Sequence, residues 1–124
     1  MIKIEGPYKE ECKACTLSNC EKSEMCSLCI AQKLIRGKWK LVIIWLLRDE
    51  ALRFSELKKA IPNIKQGPLT TQLKELESIG VLNRKSYNQV PPKVEYSLTD
   101  IGREFMEIIE AMQSWSKRNL VIHE

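Results

Sequence analysis

The order of segments between Arg53 and Leu98 narrows the fold more than any other feature of the sequence. Arg53-Phe54 reads as a very short strand. Ser55 is placed to cap a helix over 56–61, with Glu56 at its positive end. Pro62-Asn63 closes that helix and turns the chain. A second helix starts near 66–68, where Pro68 is tolerated only in the first turn, and Gly80 ends it. Leu69, Leu73 and Leu76 make one apolar ridge along this helix. Thr71, Lys74 and Ser78 lie opposite, flanked by Thr70 and Glu75. Two strands over 81–87 and 94–98 follow, joined by Asn88-Gln89-Val90-Pro91-Pro92-Lys93. The two prolines stiffen that loop and deny it ladder bonds.

This order predicts an α+β, mostly helical chain built as a winged helix-turn-helix with a C-terminal dimerisation helix. The leucine ridge packs on the helices before it. The Thr71/Lys74 face is then free to enter a major groove, where hydroxyl and amine groups reach base edges or phosphates. The hairpin tip, with Lys93 and nearby Arg84 and Lys85, can lie on the backbone or in the adjacent minor groove. Charge follows the same map. Residues 33–93 carry 13 Lys/Arg against 5 Asp/Glu. Residues 1–32 are net −1 and residues 94–124 net −3. A basic middle between acidic ends suits a polyanion. The plainer alternative is a small α+β domain whose exposed helix face is only solvated.

Residues 1–22 read as a cysteine-rich N-terminal arm, and residues 23–124 as the DNA-binding and dimerisation domain. Ser23 can cap a first helix ending near Ile35, with Leu28, Ala31, Leu34 and Ile35 apolar. After Gly37, a second helix repeats Trp39, Val42, Ile43, Leu46 and Leu47 on one face. Thr99 and Asp100 open a last helix to about Lys117. Its stripe of Ile101, Phe105, Ile108, Ile109, Met112 and Trp115 runs over four turns, longer than a small winged domain can cover. A second copy of the chain is the expected cover, making a homodimer. Folding back on its own domain is the alternative. No apolar stretch is long enough to span a membrane, and the first residues lack a secretory signal pattern, so a cytoplasmic protein is expected.

Cys12, Cys15, Cys20, Cys26 and Cys29 fall within eighteen positions. In a reducing compartment such clustering favours metal or thiol chemistry over static disulfides. Cys12-x-x-Cys15 and Cys26-x-x-Cys29 can supply four thiolates to zinc, with Cys20 as a spare ligand, and an iron–sulfur cluster is chemically reasonable as well. Cys26 and Cys29 lie on one helix face at i, i+3. A metal-free switch is the third reading, with Cys26 or Cys29 joined by a disulfide to Cys12, Cys15 or Cys20. The plainest reading is a set of inert surface thiols. A Ser23 cap would place Cys26 in the first helical turn, where the helix dipole favours the thiolate.

The sequence resembles the HxlR-type winged-helix regulators. The matching residues are Cys26, Arg36-Gly37-Lys38-Trp39, Arg53-Phe54-Ser55-Glu56-Leu57, Leu69-Thr70-Thr71-Gln72-Leu73-Lys74-Glu75-Leu76-Glu77, Gly80-Val81-Leu82, Arg84, Pro91-Pro92-Lys93-Val94-Glu95-Tyr96-Ser97-Leu98-Thr99 and Gly102. They cover about residues 26–115, and the Pro-Pro-basic-Val-Glu-Tyr run in the wing is the most telling. The resemblance implies homodimers that dimerise through the first and last helices and bind palindromic operators in double-stranded DNA. It also implies redox or electrophile sensing at Cys26, with Cys29 close by. The dimerisation set expected is Phe105, Ile108, Ile109, Met112 and Trp115. The DNA-contacting set expected is Arg36, Lys38, Arg53, Gln66, Thr70, Thr71, Lys74 and Lys93. Two departures stand out. Gly67-Pro68 opens the recognition helix with few groups for base contact, and the N-terminal cysteine cluster is atypical of the family.

Enzyme chemistry is not expected. The single histidine, His123, is next to last, and the five glycines are too dispersed for a phosphate loop. The stronger rival is a cysteine-rich metal-binding or protein-interaction module without DNA binding.

Overall fold

The computed structural model describes residues 24–120, and for residues 24–26 the backbone alone. The chain forms two units, Met1–Lys38 and Trp39–Glu124. The first contributes α1 (Glu24–Ile35). The expected Ser23 cap and the boundary after residue 22 lie outside the described residues.

The second unit runs α2 (Lys40–Leu46), β1 (Leu52–Arg53), α3 (Phe54–Ala60), α4 (Gln66–Ile79), β2 (Leu82–Tyr87), β3 (Lys93–Leu98) and α5 (Asp100–Asn119). The fold is thus the expected one, a winged helix-turn-helix followed by a long C-terminal helix. The three strands form one antiparallel sheet in the order β1-β3-β2. Ile43, Ile44, Leu57, Leu69, Leu73, Leu76 and Val81 are its most deeply buried side chains. The turn between α3 and α4 is held by buried Ile61 and Ile64 and bends at Asn63, whose φ of 64° lies in the left-handed region that asparagine tolerates.

Several local details differ from expectation. β1 is Leu52–Arg53, one residue earlier, because Phe54 already begins α3. Ser55 is therefore inside α3 and exposed, not its cap. The free end is satisfied the other way round: the Arg53 N–H donates to Glu56 Oε1 at 2.9 Å. In α2, Val42 is exposed and Ile44 is buried, so the apolar face is rotated from the expected one. That helix, KLVIIWL, is apolar almost all round, so its pattern does not fix a phase.

One joint ties α4 to α5. Gly80 caps α4 with φ 93°, and Val81 N–H returns to Leu76 O at 3.0 Å. Thr99 caps α5: its Oγ1 accepts from Gly102 N–H at 3.1 Å and donates to Gly80 O at 2.6 Å. Gly102 is buried so tightly that a Cβ there would lie 2.5 Å from Val81 O.

Candidate nucleic-acid interface

The leucine ridge fixes how α4 presents itself. Leu69, Leu73 and Leu76 are at most 1% exposed. Gln66, Thr71, Lys74 and Ser78 are exposed, and Thr70 is half-buried. No acidic residue sits in the first turn, so the positive end of the helix is left uncompensated by a side chain there. On the flank of α4, Glu75 pairs with Lys40 of α2, a lysine only 4% exposed. This ion pair, not anticipated from the sequence, clamps α4 to α2.

The wing is more elaborate than a basic loop. Ladder partners share a sheet face. Arg53, Glu95 and Lys85 form one row across the three strands, and Tyr87 and Lys93 form the next row on the same face. Lys93 is the first residue of β3, not a loop residue. Its Nζ lies 3.7 Å from Glu95 Oε2 and 4.8 Å from the centroid of the Tyr87 ring. Lys85 lies 4.9 Å from the same ring. A hydrogen bond from Tyr87, the largest effect, together with the nearby charges of Lys93 and Arg53, holds the Glu95 carboxyl below its ordinary value against the opposing effect of desolvation. An open recess of about 400 Å³ beside this row is lined by Glu50, Ala51, Arg53, Ser55, Glu56 and Glu95. In the sequence Glu95 stood out only as part of the family run in the wing, without a role of its own, and Tyr87 did not stand out. Two-residue alternation along β3, once its register with β2 is known, is the signal that brings them together.

The remaining site residues are scattered. Arg36 and Lys38 are exposed in the first unit, beyond α1. On α5, Ile101, Ile108, Met112 and Trp115 are exposed, at 63%, 51%, 38% and 54%. Ile109 is 5% exposed and belongs to the core, and Phe105 is half-buried. On α1, Leu28 and Ile35 are exposed as well. Cys26 and Cys29 both lie in α1, and whether Cys26 falls in its first turn lies outside the described residues. Cys29 is a half-buried free thiol. Cys12, Cys15, Cys20 and the Cys26 side chain lie outside the described residues. Among the described residues no group of three or more potential ligands gathers for a metal, and no helix is long and apolar enough to cross a membrane.

A helix locked from inside with a polar face turned out, followed by a cationic hairpin, is the DNA-reading half of a winged helix-turn-helix. The profile of the HxlR-like helix-turn-helix family matches residues 34–124. The chain belongs to the HxlR family. An HTH-type transcriptional regulator of Methanothermobacter thermautotrophicus is 46% identical over 93 residues, 75% of this chain and 71% of that protein. One from Halalkalibacterium halodurans is 53% identical over 87 residues, 69% of this chain and 77% of its own length. The redox regulator HypR in its oxidised form matches with a TM-score of 0.72 at 41% identity, over 78% of this chain and all of HypR. The reduced transcriptional regulator YodB of Bacillus subtilis matches at 0.70 and 30% identity, over 82% of this chain and 97% of YodB. This HxlR-family chain is a transcriptional regulator with a helix-turn-helix DNA-binding fold.

Proposed function

We propose that the chain acts as a homodimer on a palindromic operator in double-stranded DNA and that its N-terminal cysteines receive the signal. The observation that carries the DNA half is α4: its leucines are locked inward while Gln66, Thr71 and Lys74 face out. Thr70, at the edge of that face, and the exposed Arg36, Lys38 and Arg53 complete the contact set, with Lys93 in the wing. The exposed apolar stripe of Ile108, Met112 and Trp115, flanked by half-buried Phe105, supports a second copy as the partner, and α1 is the other helix expected to take part in dimerisation.

The signal reading rests on Cys26 and Cys29, one turn apart in α1, and on the expectation that a Ser23 cap puts Cys26 in the first turn. It is supported by the description of HypR as a redox regulator and by the existence of reduced and diamide-treated forms of YodB. Oxidation would join two of the thiolates as a disulfide, two electrons passing to the oxidant. Zinc or an iron–sulfur cluster held by Cys12, Cys15, Cys26 and Cys29, with Cys20 in reserve, is the metal-dependent form of the same reading.

Gel-shift titration against salt tests the first half: binding should weaken steeply as salt rises. The second half is tested with Cys26→Ser, which should keep basal DNA binding and lose the response to oxidant or electrophile. Unchanged induction in that variant would sink the sensing role. Zinc, iron and acid-labile sulfide measured on protein purified without oxygen then separate a metal site from a metal-free thiol switch.

A further inference from the structure

The wing face places one carboxylate among three cations. Arg53 and Lys85 flank Glu95 directly across the strands, and Lys93, two residues along β3, reaches its Oε2. The same carboxylate accepts from Tyr87, whose ring draws both Lys85 and Lys93 within 4.9 Å of its centroid. Glu95 is thus the hub of the only part of the described sheet rich in cations. Its surroundings also argue against a phosphate at that point. The recess beside it carries Glu50, Glu56 and Glu95 against a single arginine. A phosphate approaching Lys93 meets a carboxylate already paired with it, and one approaching Arg53 meets the same carboxylate on the neighbouring strand.

We infer that Glu95 restrains DNA affinity: it holds Lys93 and Arg53 back from the phosphate backbone, so that sequence-independent binding through the wing stays weak. The inference rests on the DNA-binding reading above and concerns its strength. Backbone contacts by lysine and arginine carry affinity without sequence information. A regulator gains selectivity when they are partly neutralised and base contacts from α4 must supply the difference. Glu95 sits on the central strand, in register with Arg53 on β1 and Lys85 on β2, so one carboxylate faces a cation on each side.

The test is Glu95→Gln, which keeps the side-chain shape and removes the charge. The probe is a labelled duplex of random sequence, so no operator is needed, and binding is followed by fluorescence anisotropy across a salt series. Glu95→Gln should bind this DNA several-fold more tightly at low salt. The slope of log affinity against log salt should steepen by about 0.9 for each cation released. Lys93→Ala should then cost more affinity in the Glu95→Gln background than in the natural one, a double-mutant coupling. Far-ultraviolet circular dichroism and melting of each variant confirm that the wing is folded. If Glu95→Gln is misfolded, Glu95→Thr, which also removes the charge and suits a strand, is read in its place. Equal or weaker binding with an unchanged slope overturns the inference alone. A natural chain that shows no salt-sensitive DNA binding at all overturns the functional reading, and this inference with it.

Discussion

Lys40 is 4% exposed, and an ammonium that deep in a small core is costly unless its donors are engaged. Glu75 engages one of them from the flank of α4, while half of the Glu75 side chain remains in solvent. The pair is therefore asymmetric. Removing the carboxylate strips a partner from a buried charge, whereas removing the lysine leaves a carboxylate that water can solvate. Glu75→Ala should cost about 1–3 kcal/mol in chemical unfolding. Lys40→Met should be much closer to neutral, since an apolar side chain of similar length fills the same space. Equal losses in the two variants would mean that the lysine contributes by its charge and hydrogen bonds rather than by packing alone. Glu75 lies on α4, the proposed recognition helix, so a loss of stability there should also loosen α4 against α2.

At the level of elements, the α4–α5 joint is closely packed around Gly102. Gly102→Ala drives a methyl carbon to 2.5 Å from Val81 O and 3.2 Å from Leu98 Cδ2, and neither the backbone oxygen nor a buried leucine can yield easily. It should destabilise by about 1–3 kcal/mol, read as a lowered melting temperature. An unchanged melting point would show that α5 can slide on β3. The sequence made most elements legible because their signals are local. The leucine ridge of α4, the Gly80 stop and the Thr99 start each need only a few neighbouring residues. What stayed hidden depends on partners far along the chain. The Glu95 hub needs the register of three strands, and the Lys40–Glu75 pair needs the packing of α2 on α4. The phase of α2 was ambiguous for another reason: nearly every residue in it is apolar. The same logic separates Ile108 from Ile109, which are adjacent in a continuous stripe that only packing divides.

For the whole molecule, that division makes a sharp comparison. Ile108 is 51% exposed and Ile109 5% exposed. Ile108→Asp should leave each chain folded but shift sedimentation from dimer to monomer. Ile109→Asp should unfold the chain, since it buries a charge without a partner. If Ile108→Asp remained dimeric, the second copy would have to dock elsewhere. In the proposed dimer, the Thr99 joint would act as a fulcrum. α5 is 20 residues long, and at about 1.5 Å per residue it is an arm of roughly 30 Å. A swing of about 10° at the joint moves the far end by roughly 5 Å. Read in reverse, a shift of a few ångströms where two such arms meet turns each reading head by only a few degrees. The long arm gears coarse displacement down to fine aim, and the two recognition helices of the pair must keep a fixed spacing of about one DNA turn to bind together.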